Sequence, residues 1–475
     1  MPEKTYIAKG SVDLDLSNEE LNDLFSDAFA KALDDLNNAG SVIILPPDIT
    51  RFHSKAGFFT DAASRILTNG SCKNQLGAVL PALGTHMAMI DAELERMFPG
   101  TSKNKFLVHD WRNDITELGR LEADWVEKTC GGAVRYDWPV QVNKLLRKDS
   151  PGSGSFSMIL SIGQVVPHEV AGMANHAKNI FVGTGGKEAI DKSHFAGAAY
   201  GMEKMMGRVD TPVRLMFDEG LRRYAHNLPP VLWVLTVVGA RSAEEVAQQA
   251  ASAAEAAVQL NQHNGETRGS LAVRGLYIGF GRECFEKAAS LAQKVNVDIM
   301  DEPIHKAVVY LEPEEFRTTW LGNKAVYRTR MAIADGGELL ILAPGLEKFG
   351  EDPGIDALIR KYGYRPSREI MNKIANNADL SGNLSAAAHL IHGSSEGRFT
   401  VCYCTSDNKG KHSVTRKEIE SVGFEWGDLN EAQARYDITK LNTGWNTLSG
   451  GERIFFVPNP ALGLWAEKNR FNSQQ

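Results

Sequence analysis

Residues Pro167 to Phe195 (PHEVAGMANHAKNIFVGTGGKEAIDKSHF) string imidazoles and ammonium groups along a backbone with Gly172, Gly183, Gly185 and Gly186. Glycine lets a backbone approach a bound molecule closely, while imidazole and amine groups move protons, ligate metals or form covalent links. The apolar run Ser157 to Ile162 reads as a buried strand leading to Pro167-His168. An open α/β sheet places its ligand at the carboxyl ends of such strands. Lys187 has no glycine six residues earlier and is followed by Glu188, which excludes a phosphate-cradling P-loop. Gly172 stands where a zinc-protease helix would place its second histidine after His168-Glu169, and G-x-G-x-x-G spacing is lacking. The stretch reads as a loop offering His168, Lys178 and His194; the alternative is a surface loop with solvated basic side chains.

The preceding chain supplies elements to position such groups. A capping box of Ser17 and Glu20 opens a helix with Leu21, Leu24, Phe25, Phe29, Leu33 and Leu36 at helical spacing. Val42 to Leu45 is a strand running into Asp48-Ile49-Thr50-Arg51; Leu76 to Leu83 is another, ending in Gly84-Thr85-His86. Ile90 to Phe98 reads as a helix. In a doubly wound sheet these strand ends share one edge, so Asp48, Arg51, His86 and His168 can converge. Val231 to Gly239 is a further strand, followed by an alanine-rich helix capped by Ser242 and Glu245 and by a helix from Phe280 to Val295. A second set of strands begins near Lys306: Ala307 to Leu311, Leu339 to Ala343, Phe399 to Cys404 and Ile454 to Val457. The change of pace divides the chain into α/β domains over 1–298 and 303–475.

Composition bounds the function. A net charge of -7 without a basic cluster argues against a nucleic-acid partner. The longest apolar run, Pro229 to Gly239, is too short for a membrane span, and the start of the chain lacks an apolar signal core. Cys72, Cys130, Cys284, Cys402 and Cys404 make no disulfide framework and read as buried thiols in a reducing cytoplasm.

Asp48-x-Thr-Arg51, Gly84-Thr-His86, the His168 to His194 stretch, and Lys324 upstream of Gly336-Gly337 occur in an order that resembles the nickel-pincer-dependent lactate racemases and their homologues. The resemblance covers most of the chain. It implies two α/β domains with an active-site cleft between them, and a 2-hydroxy-acid racemase or epimerase, an isomerase. It also implies nickel in a pincer nucleotide, pyridinium-3,5-bisthiocarboxylic acid mononucleotide, made by cofactor-synthesis enzymes. His194 would ligate the metal, Lys178 would hold the cofactor covalently, and His86 and His168 would be paired acid-base groups. Asp48 and Arg51 would line the cofactor site, and Arg51 and Lys324 would meet the substrate.

The chemistry is coherent. The C–H proton of a 2-hydroxy acid is too weakly acidic for a side chain of near-neutral pKa, since general-base help contributes only ~10²–10⁴ in rate. Moving the hydrogen as hydride avoids a carbanion and leaves a planar keto acid, each face of which calls for its own base. The segment Gly172-Met173-Ala174-Asn175-His176-Ala177 departs from the family's glycine-rich one, and Leu321 and Leu384 replace polar or aromatic residues expected near the substrate tail. These changes point to a substrate larger than lactate, a sugar acid epimerised at C2. The competing readings are a short-chain lactate or malate racemase, a non-catalytic carrier of nickel or cofactor, and a metal hydrolase using His109, Asp110 and Asp114.

Overall fold

The computed structural model describes residues 3–473 apart from 38, 70–72, 149–155, 242–244, 246–270, 407–413 and 462. Two six-stranded sheets organise it. The first contains β1 (Lys4–Gly10), β2 (Gly40–Leu45), β3 (Asn74–Val79), β4 (Phe156–Gln164), β5 (Val231–Ala240) and β6 (Leu271–Phe280), in the order β1-β6-β5-β4-β2-β3. Strands β3, β2, β4 and β5 run parallel, and β6 and β1 add antiparallel at one edge. The second contains β7 (Ile304–Tyr310), β8 (Ile333–Leu342), β9 (Thr400–Thr405), β10 (Glu425–Asp428), β11 (Gly444–Thr447) and β12 (Arg453–Val457), in the order β10-β9-β8-β7-β12-β11. Only β11 is antiparallel. The α/β class expected from the sequence is therefore present.

Alternation along the strands explains the layering. On β2, Ile43 and Leu45 join one core cluster and Val42 and Ile44 the other; β4 splits Ile159 from Met158, Leu160 and Ile162 in the same way. Both faces of a parallel sheet are covered, so the strands are apolar throughout. One face packs on α1 (Asn18–Leu36) and α2 (Ala56–Thr68) through Phe25, Phe29 and Phe59; the other meets Trp138, Phe181 and Phe217. The Ser17–Glu20 capping box forms as expected.

Several expectations need correction. The run Leu76 to Leu83 pairs in the sheet only as far as Val79. Phe280 ends β6, and the helix starts at Glu283. Strands β1 and β6 escaped the sequence reading because Lys4, Lys9, Arg274 and three glycines interrupt their apolar pattern. The alanine-rich helix after Ser242 lies, but for Glu245, outside the described residues. Near the division at 298 and 303, Val297–Met300 pairs in parallel with Leu464–Glu467, so the end of the chain returns to the junction. We keep the two-domain boundary there as a proposal. No helix among the described residues is long and apolar enough to cross a membrane.

Pro167 to Phe195 is not a surface loop. Pro167–His168 pairs with Gly172–Met173 as a minimal hairpin, and α3 (Ala177–Phe181) and α4 (Lys187–Tyr200) follow. Almost every residue of it is buried. Gly172 makes the hairpin possible: its φ is +75°, and an added Cβ would lie 2.2 Å from the Arg208 carbonyl oxygen. Gly172→Ala is expected to destabilise the protein by about 1–3 kcal/mol in chemical denaturation. Gly450→Ala, where the new Cβ meets nothing within 4 Å, should be close to neutral.

Candidate active site

The strand ends converge. Asp48, Arg51, His86, His168, Lys178, His194 and Lys324 all line one cavity. Asp48 follows β2 and caps the turn Ile49–Ser54. Its Oδ1 accepts from the Thr50 amide (3.1 Å) and hydroxyl (2.5 Å), and its Oδ2 meets His86 Nδ1 at 2.5 Å. Burial would raise the Asp48 carboxyl, but the His86 ring, Thr50 and Arg51 outweigh it and hold it at about 2. The ionised carboxylate fixes His86 with Nδ1–H toward Asp48 and the Nε2 lone pair free. Both Asp48 oxygens are thereby engaged within the protein, so its visible work is to orient His86.

His86 sits in a turn locked to the opposite segment by the Gly84 amide, which donates to the Gly183 carbonyl (2.9 Å). Helix α3 is docked by Asn179, whose amide donates to Leu45 O (3.2 Å) and Ser161 Oγ (2.9 Å) at the ends of β2 and β4. This places Lys178 in the cavity. Burial, reinforced by the Arg51 charge, lowers its amine to about 8. On α4, His194 Nδ1 lies 2.7 Å from the Ile190 carbonyl, which fixes N–H at Nδ1 and leaves the Nε2 lone pair for a ligand. Burial and the nearby Lys178 charge also keep that ring neutral. His168 differs: its Nδ1 accepts from the Val170 amide (3.1 Å), with the Ala171 amide at 3.5 Å.

The second sheet closes the cavity. Trp320, Leu321, Lys324 and Tyr327 contribute, Lys324 and Tyr327 from α5 (Lys324–Thr329); Ser385, Ala388, His389 and His392 share one face of α6 (Leu384–His392). Ser385 Oγ donates to Asp191 Oδ1 on α4 (2.5 Å), and Arg330 Nε donates to Glu203 (3.0 Å), joining the two walls. Burial brings His389 down to about 3 and His392 to about 4. Glu169, also lining the cavity, is held far below the ordinary carboxylate range: burial would raise it, but the Arg328 charge and a backbone N–H outweigh that.

Sequence reasoning did not single out Glu169, Trp320, His389 or His392. The spacing His389-Leu-Ile-His392 after a run of small residues was the available signal. Other candidates fall away. His109 is buried between Gly185 O (3.1 Å) and the Asn143 amide (3.0 Å), Asp110 caps its own turn, and Asp114 pairs with Lys144, so the hydrolase reading has no site. His176 faces away from the cavity, packed on Trp233 (4.3 Å between ring centroids) and Phe285 (5.1 Å); Asn175 does line it. Lys187 pairs with Asp191, and Lys192 with Glu188, which leaves Lys324 as the cation from the second sheet. Leu321 lines the cavity, whereas Leu384 only packs against the core.

The amine of Lys178 should react as a free base at unusually low pH. Competitive acetylation read on its peptide is expected to reach half-maximum near pH 8, with Arg51→Met moving that midpoint upward. The sign for stability follows: between about 8 and 10.5 the unfolded chain binds more protons, so stability contributed by neutral Lys178 rises with pH there.

Comparison with known proteins bears on the fold that carries this site. Residues 19–206 match the lactate racemase N-terminal domain model. A protein from Thermotoga maritima shares the fold with a TM-score of 0.72 and 23% identity, over 96% of this chain and 99% of that one. The lactate racemase apoprotein from Thermoanaerobacterium thermosaccharolyticum superposes with a TM-score of 0.63 at 16% identity, covering 95% and 94%. No curated protein matches the sequence. Over residues 19–206 the chain thus matches a lactate racemase N-terminal domain, and over most of its length it shares the fold of these two structures.

Proposed function

We propose that this protein is an isomerase that inverts the C2 centre of a 2-hydroxy acid, and that its substrate is a sugar acid rather than lactate. One observation carries the reading: an oriented base (His86), a neutral metal-binding imidazole (His194), a deprotonatable lysine (Lys178) and two cations (Arg51 and Lys324) line the same cavity.

The residues fit the family's cofactor. Lys178, with its amine near 8, would hold the pincer nucleotide, and His194 Nε2 would be the nickel's protein ligand. Among the described residues no cluster of three His, Cys, Asp or Glu side chains is placed to hold a metal, so the remaining ligands would be the cofactor's own. When bound, that cofactor supplies a carbon able to accept hydride. The protein's own work is then positional and protonic. Arg51 and Lys324 clamp the substrate carboxylate from opposite walls, and His86 Nε2 takes the hydroxyl proton and returns it. His168 faces the same space. Closure by Ser385–Asp191 keeps water from the reacting centre.

The far wall favours a hydroxylated tail. Ser385, His389 and His392 present polar groups beside Trp320, and His392 Nε2 is buried with no hydrogen-bond partner among the described residues. A buried polar atom left unpaired costs about 1–3 kcal/mol, which a substrate hydroxyl would relieve. A short-chain lactate or malate racemase is the second reading, which the same assays decide. A non-catalytic carrier would have no use for the Asp48–His86 pair. We place the enzyme in the cytoplasm, supplied by cofactor-synthesis enzymes.

The test is turnover by protein co-produced with cofactor-making enzymes, assayed on lactate, malate and aldonic acids. C2 epimerisation of an aldonate is expected, reduced ~10²–10⁴-fold by His86→Ala. Turnover of lactate alone would overturn the substrate assignment, and turnover of none the catalytic one.

A further inference from the structure

We propose that Glu169 selects the substrate by its tail: the side chain accepts hydrogen bonds from the hydroxyl groups of a polyol chain and turns away a tail that ends in a second carboxylate. The proposal deepens the isomerase reading and rests on it for the substrate being a 2-hydroxy acid. Glu169 follows His168 directly, in the turn of the hairpin that pairs Pro167–His168 with Gly172–Met173. The turn is fixed from behind, where the Thr211 hydroxyl donates to Ala171 O (3.2 Å) and the Gly207 amide to Gly172 O (3.0 Å). The Glu169 side chain is 21% exposed and lines the cavity. No side chain among the described residues hydrogen-bonds its carboxylate; His168 Nδ1 stands 3.8 Å from Oε2, beyond reach.

The charge acts across the cleft instead. His389 and His392 on α6, and Tyr327 and Arg328 on α5, all feel it. On that wall His392 Nε2 is likewise buried without a partner among the described residues. A carboxylate can only accept, whereas an imidazole nitrogen donates or accepts according to its tautomer. A hydroxyl group does both, so it can donate to Glu169 and meet His392 in either form. A methyl group would leave both unpaired. A second carboxylate would add a like charge beside Glu169 in a cavity that screens it poorly. Arg328 explains why the Glu169 charge is tolerated there. Its guanidinium is buried on α5; Nη1 donates to Gly463 O (3.2 Å), while Nε and Nη2 have no partner among the described residues. Glu169 balances that charge from the opposite wall. With Glu169 neutralised, the guanidinium would draw a tail carboxylate in, so a single substitution should shift the preference.

The test uses two pairs of acids, gluconate with glucarate and threonate with tartrate. The members of each pair differ only at the last carbon, a hydroxymethyl group in one and a carboxylate in the other. In protein co-produced with the cofactor-making enzymes, C2 epimerisation should favour the hydroxymethyl member of at least one pair by ~10²-fold or more in kcat/KM. Glu169→Gln should lower kcat/KM on that member ~10-fold, mainly through KM, and raise it on the dicarboxylate, leaving a preference below ~10-fold. Glu169→Asp, which keeps the charge but draws it back, should weaken the hydroxymethyl substrate and still reject the dicarboxylate. An unaltered enzyme that prefers the dicarboxylate would overturn the proposal, as would a Glu169→Asp variant that accepts both alike. Equal losses on both members in Glu169→Gln, the pattern of a merely structural role in the hairpin, would overturn it too. Calorimetric binding of the same acids to the same protein separates this outcome from the isomerase reading. If none is epimerised but the hydroxymethyl members bind in preference, and Glu169→Gln removes that preference, the isomerase reading fails and the selection stands. Binding without preference, or no binding, refutes the selection.

Discussion

Removal of water from a group of imidazoles and amines is the constraint on which the site depends. Burial is the largest influence on His168, Lys178, His194, His389 and His392, and in each case it works against the charged form. A neutral imidazole can ligate a metal or donate a hydrogen bond, and a neutral amine can form a covalent link; their protonated forms can do none of the covalent or ligating work. Positive charge is supplied instead by the Arg51 guanidinium at the cavity wall. Asp48 and Glu169 balance it, each held ionised by specific partners against the pull of burial. The cavity thus sorts its groups into fixed charges and imidazoles held neutral, with the Lys178 amine poised near 8 between them.

Topology makes that sorting possible. The parallel strands β2, β3 and β4 deliver Asp48, His86 and His168 to one edge, and α3 and α4 fold back across it with Lys178 and His194. A single sheet would leave this edge open to solvent. The second sheet supplies α5 and α6 as a lid, and Ser385–Asp191 and Arg330–Glu203 hold the walls together. Desolvation is therefore a property of the pair of sheets, and no loop provides it alone.

Much of this was legible in the sequence, for identifiable reasons. Apolar runs bounded by Gly84, Pro46-Pro47 and Pro167 located the strand ends, and strand ends locate sites in this class of fold. The stretch from Pro167 was misread as a loop because its glycines and short apolar segments hide a two-residue hairpin and a five-residue helix, both too short for periodicity to register. His389 and His392 passed unnoticed because an amphipathic face says nothing of what it will face. Only the packing of α6 on α4 turns it into a cavity wall. His176 lies in the sequence between His168 and Lys178, yet the left-handed backbone at Asn175 and His176 sends those two side chains to opposite sides. The difference between His86 and His168 lies in hydrogen-bond partners that no spacing encodes.

The central claim is that Lys178 and His194 jointly hold a nickel-bearing nucleotide. Protein co-produced with the cofactor-making enzymes should carry about one nickel per chain, and its Lys178 peptide should show a mass addition that disappears in Lys178→Ala. Nickel binding should also be lost in His194→Ala. An unmodified Lys178 peptide from protein without bound nickel, produced under conditions that load a control lactate racemase, would contradict the account.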